Sequence, residues 1–179
     1  MNLCHGHAML WSEKKSPTTQ GSAPMDKLVS QMTDIMAKRL RLMPEVAMHK
    51  WNHDLPVFDQ AREEELLNKL TQLAMDLGIA EEAGKHLLQG QMDVAKNWQE
   101  LMIDQWRRDD VGKIPNVRDL QKEIRPEVGQ ASKSMLELVA RLMSSKVKIH
   151  QTPSCPDDIP PKFWDEAFES LKSVVNRGQ

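Results

Sequence analysis

The 179-residue chain contains no tyrosine, three phenylalanines and two cysteines. Strands draw on aromatic and β-branched residues, so this scarcity counts against a β-rich fold. Two cysteines, Cys4 and Cys155, cannot build a disulfide framework. The Cys4-His5-Gly6-His7 cluster has metal-capable side chains at a spacing that fits no structural zinc pattern, and it reads as part of a tail with no metal site. Charge of one sign is also lacking. The 24 Lys and Arg against 26 Asp and Glu leave a net −2 with His neutral, which gives no bulk electrostatic case for nucleic acid or an anionic membrane. No apolar run approaches the roughly 20 residues of a membrane span. Residues 1–23 also lack the apolar core of roughly 7–15 residues that a secretory signal needs. The compartment stays open between the cytoplasm and export, with or without a removed signal.

Methionine, by contrast, is abundant at 12 residues, which favours helices packed through flexible aliphatic side chains. The length suits one domain with a substantial core. Residues 1–23, rich in Ser, Thr, Pro and Lys from Ser12 onward, are expected to be a disordered lead-in. A single domain follows over 24–179. Helix one is predicted over Met25 to Asn52, bent at Pro44. Helix two is predicted over Phe58 to Asp76, stopped by Gly78, and helix three over Ala80 to Arg108. Helix four follows the stripe Val117, Leu120, Ile124, Val128, Ala131, Met135, Leu138, Leu142, with an irregularity at Pro126. A proline-rich loop over His150 to Pro161 precedes a last helix from Lys162 to Asn176. No strand-like alternation and no internal repeat is evident. The expected architecture is an all-α bundle of about five to six helices with a long kinked first helix.

Four polar residues interrupt the apolar stripes of these helices. The first stripe runs Leu28, Met32, Ile35, Arg39, Met43, Val46, Lys50, in steps of three or four. The second runs Arg62, Leu66, Leu70, Leu73, Leu77, and the third Leu88, Met92, Ala95, Gln99, Met102, Trp106. A buried charge without a partner is expensive, so donors turned inward from three helices predict a shared anionic ligand. Arg39 and Lys50 lie about three turns apart on one face, roughly 16 Å along the axis, and can grip opposite ends of one small molecule. Arginine forks match carboxylate oxygens, so Arg39 and Arg62 together suggest a dicarboxylate. Taken singly, each of these has a plainer account: Arg39 paired with an acid on a neighbouring helix, Arg62 paired with Asp59 or Glu63, Lys50 reaching water. Trp51, Trp98, Trp106 and Trp164 are core or boundary residues. Lys14-Lys15 and Arg107-Arg108 are too short to argue nucleic-acid contact.

The runs Ala37-Lys38-Arg39-Leu40, Val46-Ala47-Met48-His49-Lys50-Trp51, Leu55-Pro56-Val57-Phe58-Asp59 and Ala61-Arg62-Glu63 resemble the all-helical, type II chorismate mutases, with matching intervals. Gln91-Met92-Asp93-Val94-Ala95-Lys96-Asn97-Trp98-Gln99 resembles the family's later helix, which ends in a substrate-contacting Gln. The motif-bearing half is residues 24–108. A weaker likeness continues over 114–179, through Ile124-Arg125-Pro126 and the Pro153-Ser154-Cys155 loop, and is most similar to the secreted, periplasmic subclass.

The resemblance implies a cofactor-independent isomerase that rearranges chorismate to prephenate. Arg39 and Arg62 would hold the carboxylates. Lys50 and Gln99 would donate to the ether oxygen as its bond breaks, stabilising the transition state more than the ground state. Glu63 would accept from the ring hydroxyl and Asp59 would orient its neighbours. Ala95 stands where the family usually has Ser or Thr, which thins the grip on one carboxylate. Secreted relatives can add an Arg from the later helix; the alignment puts Ser134 there, with Lys133 adjacent but pointing away from the apolar stripe. A disulfide from Cys155 to the last helix, seen in some secreted relatives, has no partner because Asn176 lies near that position. The resemblance fits a periplasmic or secreted homodimer with each site within one chain, and no nucleic-acid or membrane partner. Two other functions share these features: an isochorismate pyruvate lyase, and a catalytically silent binding protein.

Overall fold

The computed structural model describes residues 22–177. Five α-helices form a bundle: α1 (Ser22–Asn52), α2 (Gln60–Asp76), α3 (Glu81–Arg108), α4 (Arg125–Ser144) and α5 (Pro161–Arg177). A π-helical turn, Leu120–Ile124, leads into α4. No strand occurs among the described residues, so the all-α expectation holds. Helix α1 begins at Ser22, inside the segment expected as lead-in; the remainder of that segment, with Cys4 and its neighbours, lies outside the described residues.

The apolar stripes predicted from period 3.6 are the buried faces. Met32, Met36 and Leu40 of α1 are fully buried, as are Met135 and Leu136 of α4 and Phe163, Trp164 and Phe168 of α5. Helix α1 packs along α4 and α3, and α3 packs along α2 and α5. Pro44 lies inside α1 without ending it.

Two glycines on α3 set close crossings. A β-carbon at Gly84 would lie 3.0 Å from Ala74 Cβ, and one at Gly90 would lie 2.6 Å from Ser170 Cβ. Real carbons do not approach that closely, so only glycine at position 90 lets α3 and α5 meet at this separation. Gly78 ends the α2 region with φ +83°, while Ile79 N–H donates to Ala74 O at 2.9 Å, a left-handed helix stop.

Helix four starts later than its stripe predicts, and Val117 lies outside it. Pro126 is the second residue of α4, where its missing N–H costs little. The irregularity falls in the π turn before it, where Arg125 N–H reaches back to Leu120 O. Asp119 caps this turn, accepting from Gln121 N–H at 2.8 Å and Lys122 N–H at 2.7 Å.

The segment linking α3 to α4 is strapped to the end of α1. Trp51 Nε1 donates to Gly112 O at 3.1 Å. Asn52 donates to Ile114 O and accepts from Ile114 N–H, both at 2.8 Å. Arg118 joins Glu45 of α1 (3.1 Å) to Glu127 of α4. At the other end, Asn176 donates to Ile149 O at 3.1 Å and accepts from Ile149 N–H at 3.0 Å, a clasp on the last helix at the position expected near Cys155's absent partner.

Candidate active site

A cavity of 590 Å³ is walled by α1, α2, α3, the π turn and the first turns of α4, with Val57 from the α1–α2 turn. Arg39, Lys50, Arg62, Glu63, Ala95 and Gln99 all line it. Its floor is apolar, built from Met43, Val46, Leu66, Leu70, Leu73 and Met92. Seven cationic side chains stand on the wall (Arg39, Lys50, Arg62, Lys69, Lys96, Arg125 and Lys133) against the single carboxylate of Glu63. That excess selects an anionic ligand with more than one negative charge. A larger groove of 820 Å³ between α1 and α4 carries Asp34 and Glu137 with Arg141, a mixed charge that selects no anion. Among the described residues, no three His, Cys, Asp or Glu side chains converge as a metal site.

Arg39 is 5% exposed and no carboxylate pairs with it among the described residues. The expected structural pairing with an acid on a neighbouring helix is therefore not found. Its Nη1 and Nη2 donate instead to Gln91 Oε1 (3.3 Å) and Gln91 O (3.1 Å). Its Nε has no partner. Burial pulls its pKa down to about 10.

Lys50, near the end of α1, is partly buried and donates to Val57 O at 2.8 Å. Burial foremost, and then the charge of Arg125, lower its pKa to about 8, with Glu63 and Asp59 opposing. Gln99 is 5% exposed. Its Nε2 meets only the thioether of Met43 at 3.6 Å, and its Oε1 has no partner. An unpartnered buried amide oxygen costs about 1–3 kcal/mol, the kind of cost that persists at functional sites.

Arg62 departs from the inward placement its stripe predicts. It sits in the first turn of α2 at the cavity edge, its side chain 40% exposed, and it pairs with Glu65 at 3.4 Å rather than with Asp59 or Glu63. Asp59 does not line the cavity. It is the N-cap of α2, accepting from Arg62 N–H at 3.1 Å, so it acts on the site by starting the turn that carries Arg62. Glu63 pairs with Lys96 at 3.0 Å, and Lys96 Nζ lies 5.1 Å over the Phe58 ring. Ala95 presents only a methyl group, as its identity dictates.

The later helix contributes differently from its alignment. Ser134 faces the other groove, while Lys133, expected to point away, lines the cavity. An arginine that the sequence reading did not single out, Arg125, lines the cavity directly after the π turn. Its pKa is lowered by burial and by the nearby charge of Arg62. Its only signal in the sequence was the Ile124-Arg125-Pro126 run.

Residues 23–100 match the family model of type II chorismate mutases. The match covers less than half of the chain and falls on its motif-bearing part. A secreted chorismate mutase from Yersinia pestis is 30% identical over 111 residues, covering 62% of this chain and 58% of that protein. The chain thus spans less than two thirds of that relative. The crystal structure of secreted chorismate mutase from Yersinia pestis superposes with a TM-score of 0.63 at 22% identity, over 79% of this chain and 94% of that one. Chorismate mutase from Burkholderia thailandensis gives a TM-score of 0.62 at 20% identity, over 86% of this chain and 97% of that one. The likeness to these structures is one of fold.

Proposed function

We propose that the protein rearranges chorismate to prephenate within the 590 Å³ cavity. The observation that carries this is the convergence of Arg39, Lys50, Arg62 and Gln99 from three helices onto one cationic cavity. The family match over residues 23–100 supports it. Chorismate is a dianion with carboxylates on its ring and on its enolpyruvyl arm. Arg39, Arg62 and Arg125 are the donors suited to those two groups.

The reaction breaks the ether C–O bond as a C–C bond forms, and negative charge grows on the ether oxygen. Lys50 keeps one proton on Val57 O, which leaves two to donate to that oxygen. Gln99 Nε2 has only a thioether to give up, a weak acceptor. Both side chains line the cavity, which supports donation with little reorganisation as charge develops. The apolar floor favours the folded arm over the ring, a positioning contribution.

Incubating the protein with chorismate and, separately, isochorismate tests this. Prephenate from chorismate is the expected product. Pyruvate from isochorismate would instead identify a lyase, and turnover of neither would leave a binding protein.

The likeness to a secreted relative supports a role outside the cytoplasm. Among the described residues, no helix is long and apolar enough to cross a membrane. The reading includes a homodimer in which each protomer holds a complete site. Activity per chain should then be unchanged on dilution through dissociation.

A further inference from the structure

Helix α5 lends no side chain to the cavity wall, yet its Ala167 and Ser170 reach the cavity's buried arginine through one residue. Gln91 is 1% exposed. Its Nε2 donates to Ala167 O at 2.8 Å and to Ser170 Oγ at 3.0 Å. Its Oε1 accepts from Arg39 Nη1 at 3.3 Å, and its backbone carbonyl accepts from Arg39 Nη2 at 3.1 Å.

The orientation of this amide is chemically fixed. Ala167 O can only accept, so it must face the NH₂ group; Arg39 can only donate, so it must face the oxygen. A flipped amide would set two donors and two acceptors against each other. Ser170 is held in turn by its own bond to Ala167 O at 3.0 Å. The close crossing at Gly90 brings Ser170 to Gln91's neighbourhood, since any β-carbon at position 90 would push α5 away.

We infer that Gln91 is a positioning residue: anchored by Ala167 and Ser170 of α5, it aims the Arg39 guanidinium at a substrate carboxylate, a role that rests on the mutase reading above. Arg39 has no carboxylate to orient it. Without the Gln91 side chain only the backbone carbonyl at that position still holds it, and the guanidinium can pivot out of the bidentate geometry that a carboxylate requires. Binding should suffer while the ether-oxygen donors, Lys50 and Gln99, stay in place.

The test is Gln91→Met, which keeps the volume and the backbone carbonyl but removes the side-chain donor and acceptor, read by kinetics and by calorimetric titration with chorismate. KM and the chorismate Kd should rise about tenfold, the scale of one charge-assisted hydrogen bond, with kcat within about twofold. In an Arg39→Lys background, which has no fork to aim, Gln91→Met should change neither further. Ser170→Ala, which keeps the packing, should raise KM by about two- to threefold, and it supplies the reading if Gln91→Met fails to fold. Unchanged KM in a folded Gln91→Met or Ser170→Ala variant overturns the inference, as does an equal rise with and without Arg39. Chorismate binding weakened by Gln91→Met in a wild type that shows no turnover would uphold the positioning role and sink the mutase reading. A wild type that does not bind chorismate would overturn both.

Discussion

Lys50 and Val57 are joined across the turn between α1 and α2, the Lys50 ammonium donating to the Val57 carbonyl at 2.8 Å. This bond pins a partly buried cation near another, Arg125, whose charge helps lower the Lys50 pKa to about 8. Only the protonated form carries the positive charge that steadies a developing anion. kcat/KM, which reports the free enzyme, should therefore fall as pH rises through about 8. Replacing Arg125 with Gln removes the nearby positive charge and should move this limb to higher pH. A kcat/KM profile level to about pH 10, near an ordinary lysine's pKa, would rule out Lys50 as the donor.

Gln99 donates without titrating. Gln99→Glu places an acceptor-only carboxylate there at neutral pH. Turnover at pH 7 should drop on the order of 100-fold, the effect of losing one donor to the reacting oxygen, and recover toward acidic pH as the carboxyl protonates. Equal activity for the two proteins at pH 7 would place the ether oxygen elsewhere. Lys50→Ala should cost about 100- to 1,000-fold in kcat for the same reason.

Asp59 acts through a helix cap rather than a cavity contact. Asp59→Ala should cost about 1 kcal/mol of stability, read as a lower denaturation midpoint. KM should rise as well, because the frayed turn is the one that carries Arg62. Asp59→Ser, which can still cap, should restore most of both. A serine variant no better than alanine would mean that the charge, not the cap, is what matters.

Gly90→Ala drives a methyl group to 2.6 Å from Ser170 Cβ. Overpacking of this kind costs about 1–3 kcal/mol. Adding Ser170→Gly removes the opposing carbon, so the double variant should be more stable than the two single losses predict. Simple additivity in thermal unfolding would show that the crossing has slack.

The bundle was legible because its helices bury one face each, and a 3.6 period survives in sequences such as Met32, Met36, Leu40. Arg39 and Gln99 were legible for the same reason, being polar residues on buried stripes. Arg62 shares that phase but lies in the first turn of α2, where the bundle is open at the cavity edge. Arg125 was out of phase with its stripe. The π turn inserts an extra residue per turn, and this brings Arg125 round to the cavity, where a regular helix would place its apolar neighbour Ile124. Gln91 was quoted in a motif, yet its partners are 52, 76 and 79 residues away, a separation that no local pattern encodes.

The amide bridge from Arg39 to α5 also bears on biosynthesis. The cavity's walls are complete once Lys133 has been made, but the arginine at its base is aimed by residues 167 and 170. A chain without α5 would lack both the anchor that aims the guanidinium and the buried Phe163, Trp164 and Phe168 of the core. Binding competence thus arrives only when α5 docks, the same event that closes the core.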